Sequence, residues 1–107
     1  MKLEILRRQT HRVKSHPEHF AAALSGRKTF EIRQDDRSPP YQTGDVVILQ
    51  EWVAPDHPSG REPGYTGSSV TFLIGYVERS AVVPAGWCGF ELIPVELALR
   101  VGAAVCR

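Results

Sequence analysis

Apolar and polar positions follow two different periods along this chain, and the switches between them mark its elements. Phe20, Ala23 and Leu24 recur at helical spacing and predict one helix over 16–25. Ser15-His16-Pro17-Glu18 ahead of it has the form of a capping box, with Ser15 accepting from the third helical amide and Glu18 reaching back. Pro17 fits the first turn, where no amide hydrogen is needed, and Gly26 fits a left-handed C-terminal cap. The period then drops to two. Lys28 to Arg33 alternates as a half-buried strand, with Phe30 and Ile32 expected in the core and Thr29, Glu31 and Arg33 facing solvent or a cleft.

Asp35 to Pro40 reads as a turn and loop, and Thr43-Gly44-Asp45 as a second turn. Val46 to Trp52 is apolar on both faces until its end, as expected of a central strand. The prolines and glycines of 54–67 predict a long irregular loop, either a functional lid or a disordered excursion. Val70 to Val77 is a further strand, with Gly75 as a bulge. A turn around 84–87, strands over 90–99 and 101–105, and a short strand at 3–6 (or an arm over 1–10) complete the reading. No internal repeat or boundary interrupts the 107 residues, so one domain over 1–107 is expected. One helix followed by strands without regular βα alternation points to an α+β fold, a curled sheet or small barrel, over a doubly wound one.

Composition narrows the class. A hydrophobic fraction of 42% and a charged fraction of 23% are ordinary for a globular domain. Only 8% of residues are aromatic, so Trp52 and Trp87 are expected to matter for packing or for a pocket. Cys88 and Cys106 match neither a metal spacing nor a disulfide framework and read as free thiols in a reducing compartment. No apolar run approaches the roughly 20 residues of a membrane span, and the N-terminus lacks a signal-peptide core. A cytoplasmic protein without a membrane partner is expected.

The net charge of +1 hides an asymmetry. Residues 1–37 carry nine Lys/Arg against five Asp/Glu, and the remainder four against seven. The basic first third suits a phosphate-bearing or otherwise anionic ligand. His16 and His19 lack the companions of a metal site, and the chain has no phosphate-binding loop, dinucleotide glycine fingerprint or nucleophile elbow. Neither a metal nor another cofactor is implied. What remains is a helix ending at Gly26, then Arg27-Lys28, then a strand presenting Thr29, Glu31 and Arg33. Cationic donors converging with one carboxylate acceptor suit a nucleobase edge. The same residues also suit a cross-strand ion-pair ladder of little energetic weight.

These segments carry a resemblance. His11-x-Val13-Lys14, Pro17-Glu18-His19-Phe20, Ser25 to Arg33, Asp36-Arg37, Gly44-Asp45 and Leu49-Gln50-Glu51-Trp52 look like the bacterial and phage ASCH-like family of unknown function, part of the PUA-like superfamily of small β-barrels. The resemblance covers about residues 11–95, and Gly26-Arg27-Lys28-Thr29-Phe30-Glu31-Ile32-Arg33 is its most specific part. It implies a pseudobarrel flanked by one main helix, with a cleft beside the helix that binds RNA or a modified nucleobase. Some ASCH proteins are amidohydrolases of acetylated cytidine and others are described as ribonucleases. The lysine of the amidohydrolase pattern matches Lys28, whereas its nucleophilic threonine falls at Glu31, and a carboxylate does not replace a hydroxyl in amide cleavage.

The expectation is therefore an RNA- or nucleobase-binding module. His11, Lys14, Lys28, Glu31, Arg33, Asp36 and Glu51 would line or support its cleft, and Trp52 or Trp87 would stack on a base. The alternatives are a small metal-independent hydrolase with Lys28 and Glu31 as its acid–base pair, and a phage-type accessory domain that binds another protein.

Overall fold

His11, Val13 and Ser15 point inward while Arg12 and Lys14 point out, and this alternation makes Thr10–Ser15 a strand, β1. It opens residues 8–95, which the computed structural model describes. The helix α1 (Pro17–Leu24) follows, then β2 (Phe30–Gln34), β3 (Val46–Val53), β4 (Gly64–Glu78) and β5 (Trp87–Pro94). One five-stranded sheet has the order β1-β3-β4-β5-β2. Only β1 and β3 run parallel; the other neighbours are antiparallel. The sheet curls into a half-barrel beside α1, a small α+β fold.

The core is built from alternate residues of each strand. Val47, Leu49 and Val53 of β3 are completely buried, and Phe72, Ile74, Phe90 and Leu92 join them from β4 and β5. Phe20 and Ala23 of the helix reach the same cluster. Tyr41, from the segment between β2 and β3, stands in it with its ring 4.9 Å from Phe90. Burial pushes the Tyr41 phenol above its ordinary range, as expected when the charged form loses water.

Several expectations change. The helix is one residue shorter at each end than its pattern suggested, and Ser15 does not cap it. Ser15 is the last residue of β1 with its side chain inward; the cap position belongs to His16, whose side chain makes no cap bond. The left-handed cap at Gly26 is present, with φ of 85°. The amide of Lys28 then turns back to the carbonyl of Ala22 at 3.0 Å. The polarity of β2 is the reverse of that expected: Glu31 is buried, while Phe30 and Ile32 are 54% and 49% exposed. The bulge at Gly75 falls where the β4–β5 register shifts, between Ile74 and Val77. A Cβ on Gly75 would stand 2.3 Å from Glu91 Oε1, so the glycine lets that side chain cross the bulge.

The expected loop over 54–67 ends earlier, because β4 begins at Gly64. Its irregular part is tied down by His57, 2.7 Å from Glu18 on the helix, and by Arg61 on Glu51. At the chain's far end, the expected strand over 90–99 is β5, starting at Trp87 and ending at Pro94. The expected strands at 3–6 and 101–105, and Cys106, lie outside the described residues. Among the described residues no helix is long and apolar enough to cross a membrane.

Candidate functional site

The strands β1 and β2 sit at opposite ends of the strand order, and arginine side chains span the gap between them. No backbone ladder joins them. Instead the guanidinium of Arg33 donates to the Lys14 carbonyl at 2.8 Å, and that of Arg37 to the Arg12 carbonyl at 2.9 Å. Beside the Arg33 bridge lies a cleft of about 610 Å³. Lys14, Ser15 and His16 line it where β1 meets the helix, and His19 and Ala22 line it from the helix. Arg27, Lys28 and residues 30–33 complete its wall. The volume lies within the usual range for a small-ligand site.

Glu31 organises this cleft. Its side chain is only 3% exposed, and Lys28 Nζ donates to Oε2 at 3.1 Å while Arg33 Nε donates to Oε1 at 3.2 Å. Local geometry dictates the pairing. The turn after Gly26 delivers Lys28 to the mouth, and residues 31 and 33 share one face of β2. Burying a carboxylate costs free energy unless it is paired, and here two charge-assisted bonds offset that cost. Each oxygen still has a lone-pair direction for a further donor. With Lys14 and Arg27 at the rim, the cleft carries more positive than negative formal charge. Phe30 and Ile32 supply an apolar wall beside it.

Ser15 also lines the cleft. Its Oγ is buried and makes no hydrogen bond among the described residues. A hydroxyl in that condition has lost water without replacement, which is unfavourable. The capping-box pattern concealed this residue, because the same Ser-x-x-Glu string serves a strand end here.

The other residues singled out from the sequence fall elsewhere. His11 is buried, with Nε2 2.9 Å from Asp45 Oδ2 and its ring 4.7 Å from that of Tyr41. Asp45 also accepts from the backbone amides of Gln9 and Gln42, at 3.2 and 3.1 Å. This group fastens the start of β1 to the turn before β3, and sequence reasoning took Asp45 only as a turn residue. Asp36 lies outside the cleft, in a shallow corner with Arg37, Tyr41 and Trp87. Trp87 is 39% exposed there. Glu51 occupies the register shift between β3 and β4 and accepts from both Nη atoms of Arg61, at 3.2 and 3.3 Å, and from Thr66 at 2.9 Å. Arg61, with Thr66 assisting against the opposing effect of burial, holds the Glu51 carboxyl below its ordinary range. Trp52 is partly buried, with the ammonium of Lys14 4.0 Å from its ring centroid and His16 edge-on at 5.7 Å. That cation–π contact occupies a face that a base would need.

Lys14, Lys28, Glu31 and Arg33 are thus brought together, whereas His11, Asp36, Glu51 and Trp52 are not part of the cleft lining. No three His, Cys, Asp or Glu side chains among the described residues are grouped to hold a metal ion. Cys88 is buried, and burial pushes its thiol up, opposite to the shift that a reactive thiolate requires.

Comparison with known proteins agrees with the extent of this unit. A family described as "Domain of unknown function (DUF3850)" matches residues 10–92, from the first residue of β1 into β5. An uncharacterized 12.9 kDa protein in the GpA 3' region of Escherichia phage P2 is 46% identical over 43 residues. That stretch is 40% of this chain and spans 38% of the phage protein's length.

Proposed function

This chain belongs to the DUF3850 family, and we propose that its cleft binds a nucleobase with an attached phosphate, either a free modified nucleotide or part of an RNA strand. The observation that carries the reading is Glu31, a buried acceptor fixed by Lys28 and Arg33 at the wall of a cation-rimmed cleft. A carboxylate there accepts from an exocyclic amine or ring N–H of a base. Lys14, Arg27 and Lys28 neutralise phosphate at the rim, and the exposed ring of Phe30 offers a stacking surface. The half-barrel with a helix beside its cleft also supports placing the chain among the ASCH-like members of the PUA-like superfamily.

The hydrolase reading is weaker. The residue at the nucleophile position of the amidohydrolase pattern is Glu31, whose oxygens are engaged by two cations. Thr29 lines neighbouring grooves rather than this cleft. A protein-binding accessory role is the outcome if no nucleotide binds.

The test is calorimetric titration of the full chain with a panel of nucleosides, nucleotides and short single-stranded RNA at two salt concentrations. Lys28→Ala and Glu31→Gln should each weaken binding by about 1–3 kcal/mol, the usual size for a hydrogen bond to a charged group. The affinity should fall with salt, and Lys14→Glu should flatten that dependence. Absence of binding across the whole panel would sink the reading.

A further inference from the structure

The reversed polarity of β2 has a second effect. Phe30 and Ile32 line the cleft, and they also line a separate groove of about 440 Å³. Thr29, Tyr76, Val83 and Glu91 form part of the rest of that groove. The two side chains therefore make a ridge with a depression on either side. On the far side, Tyr76 is 67% exposed, and its hydroxyl donates to Glu78 at 3.0 Å. A ridge and wall carrying two exposed aromatic rings, on a sheet with no covering element described, is an expensive surface to leave in water.

The charge of the two depressions differs. The cleft has Lys14, Arg27, Lys28 and Arg33 around it; among the described residues the groove is lined by Glu78 and Glu91 and by no lysine or arginine. Phosphate is favoured in the first and repelled from the second. A flat, uncharged ring suits the second. The occupant that satisfies both and is continuous across the ridge is a single-stranded nucleic acid, with its phosphate on the cationic side.

Resting on the reading of the cleft as a nucleotide site, we infer that this groove is a second base-binding subsite, so that the ligand is a single strand of at least two nucleotides. The second base packs against Phe30 and Tyr76, with its linking phosphate held back towards Lys28 and Arg33. Each depression has a volume suited to one nucleotide-sized group. Aromatic stacking accepts any base, so this subsite adds affinity and sets length without reading sequence.

The test compares mononucleotides with the corresponding dinucleotides in titrations of the wild-type chain, Tyr76→Ala and Tyr76→Phe. The dinucleotide should bind the wild type about tenfold more tightly. Tyr76→Ala should remove that gain and leave mononucleotide affinity unchanged, and Tyr76→Phe, which retains the ring, should keep the gain. Equal affinities for the two ligands, or a gain that survives Tyr76→Ala, overturns the inference while leaving the cleft reading in place. Failure of both ligands to bind removes the cleft reading itself. If sedimentation shows a dimer that Tyr76→Ala dissociates, without any dinucleotide gain, the groove is filled by a second copy and the inference falls.

Discussion

The guanidinium of Arg33 donates to the backbone carbonyl of Lys14 across the gap between β2 and β1, at 2.8 Å. The same side chain holds Glu31 from its Nε. One residue therefore both closes the sheet's open side and orients the acceptor in the cleft.

Arg33→Ala should lower stability by about 1–3 kcal/mol, the range for losing a hydrogen bond to a charged group. Arg33→Lys should recover only part of that, because an ammonium lacks the planar fork that reaches both acceptors. Urea denaturation of the three chains checks the ranking. Equal stability of all three would show that the bridge contributes nothing.

Ser15→Ala should raise stability by about 1 kcal/mol, since it removes a buried hydroxyl that has no partner among the described residues. Alanine keeps the Cβ and deletes only the hydroxyl oxygen at the wall of the cleft, so the space left is small. Thermal unfolding monitored by circular dichroism decides the matter, and a lower midpoint would mean that the hydroxyl is satisfied.

Asp45→Ala should cost about 3 kcal/mol, because it strands the His11 ring nitrogen and two backbone amides at once. Asp45→Asn keeps the shape and should cost less. If the alanine variant matches wild type in chemical denaturation, the His11–Asp45 group does not fasten β1.

Acid should destabilise the fold in a way that two carboxylates report. Arg79 holds Asp35 below its ordinary value, and Arg61 does the same for Glu51. A group with a depressed folded pKa contributes stability that is complete above its unfolded value, about 3.9 for Asp and 4.3 for Glu, and is lost as pH falls through the folded value. Stability should therefore decline below about pH 4. Asp35→Asn and Glu51→Gln should each flatten that decline in denaturation curves taken across pH; an unaltered slope would count against the pairing.

Much of this architecture could be read from apolar spacing. Phe20 and Ala23 reported the buried helix face, although Leu24 of the same stripe is exposed; Val46 to Trp52 reported a central strand, and Gly75 a bulge. The facing of β2 could not be read this way. Alternation tells which residues share a face but not which face is inside, and burial of apolar residues was the default. Lys28 and Arg33 reverse that default by making burial of Glu31 favourable. The strand β1 escaped notice because two of its three inward residues, His11 and Ser15, are polar, and their burial depends on partners distant in sequence. The first part of β4, from Tyr65 to Ser69, is exposed and carries little apolar signal. In the candidate site, Lys28, Glu31 and Arg33 stood out as charges in a short segment, and Lys14 through the family resemblance. Ser15 did not, because its lack of a partner exists only in three dimensions.

The strand order has a bearing on how the protein is made. Every residue lining the cleft lies between Lys14 and Arg33 and leaves the ribosome before β3, β4 and β5. However, β2 is held in place by pairing with β5, with Phe30 opposite Glu91 and Gln34 opposite Trp87. The contacts that seat it span most of the described chain and form only after loop closure on that scale. A nascent chain ending before Trp87 would contain the complete set of lining residues but lack the ladder that seats β2. The cleft is thereby completed only once β5 has been synthesised.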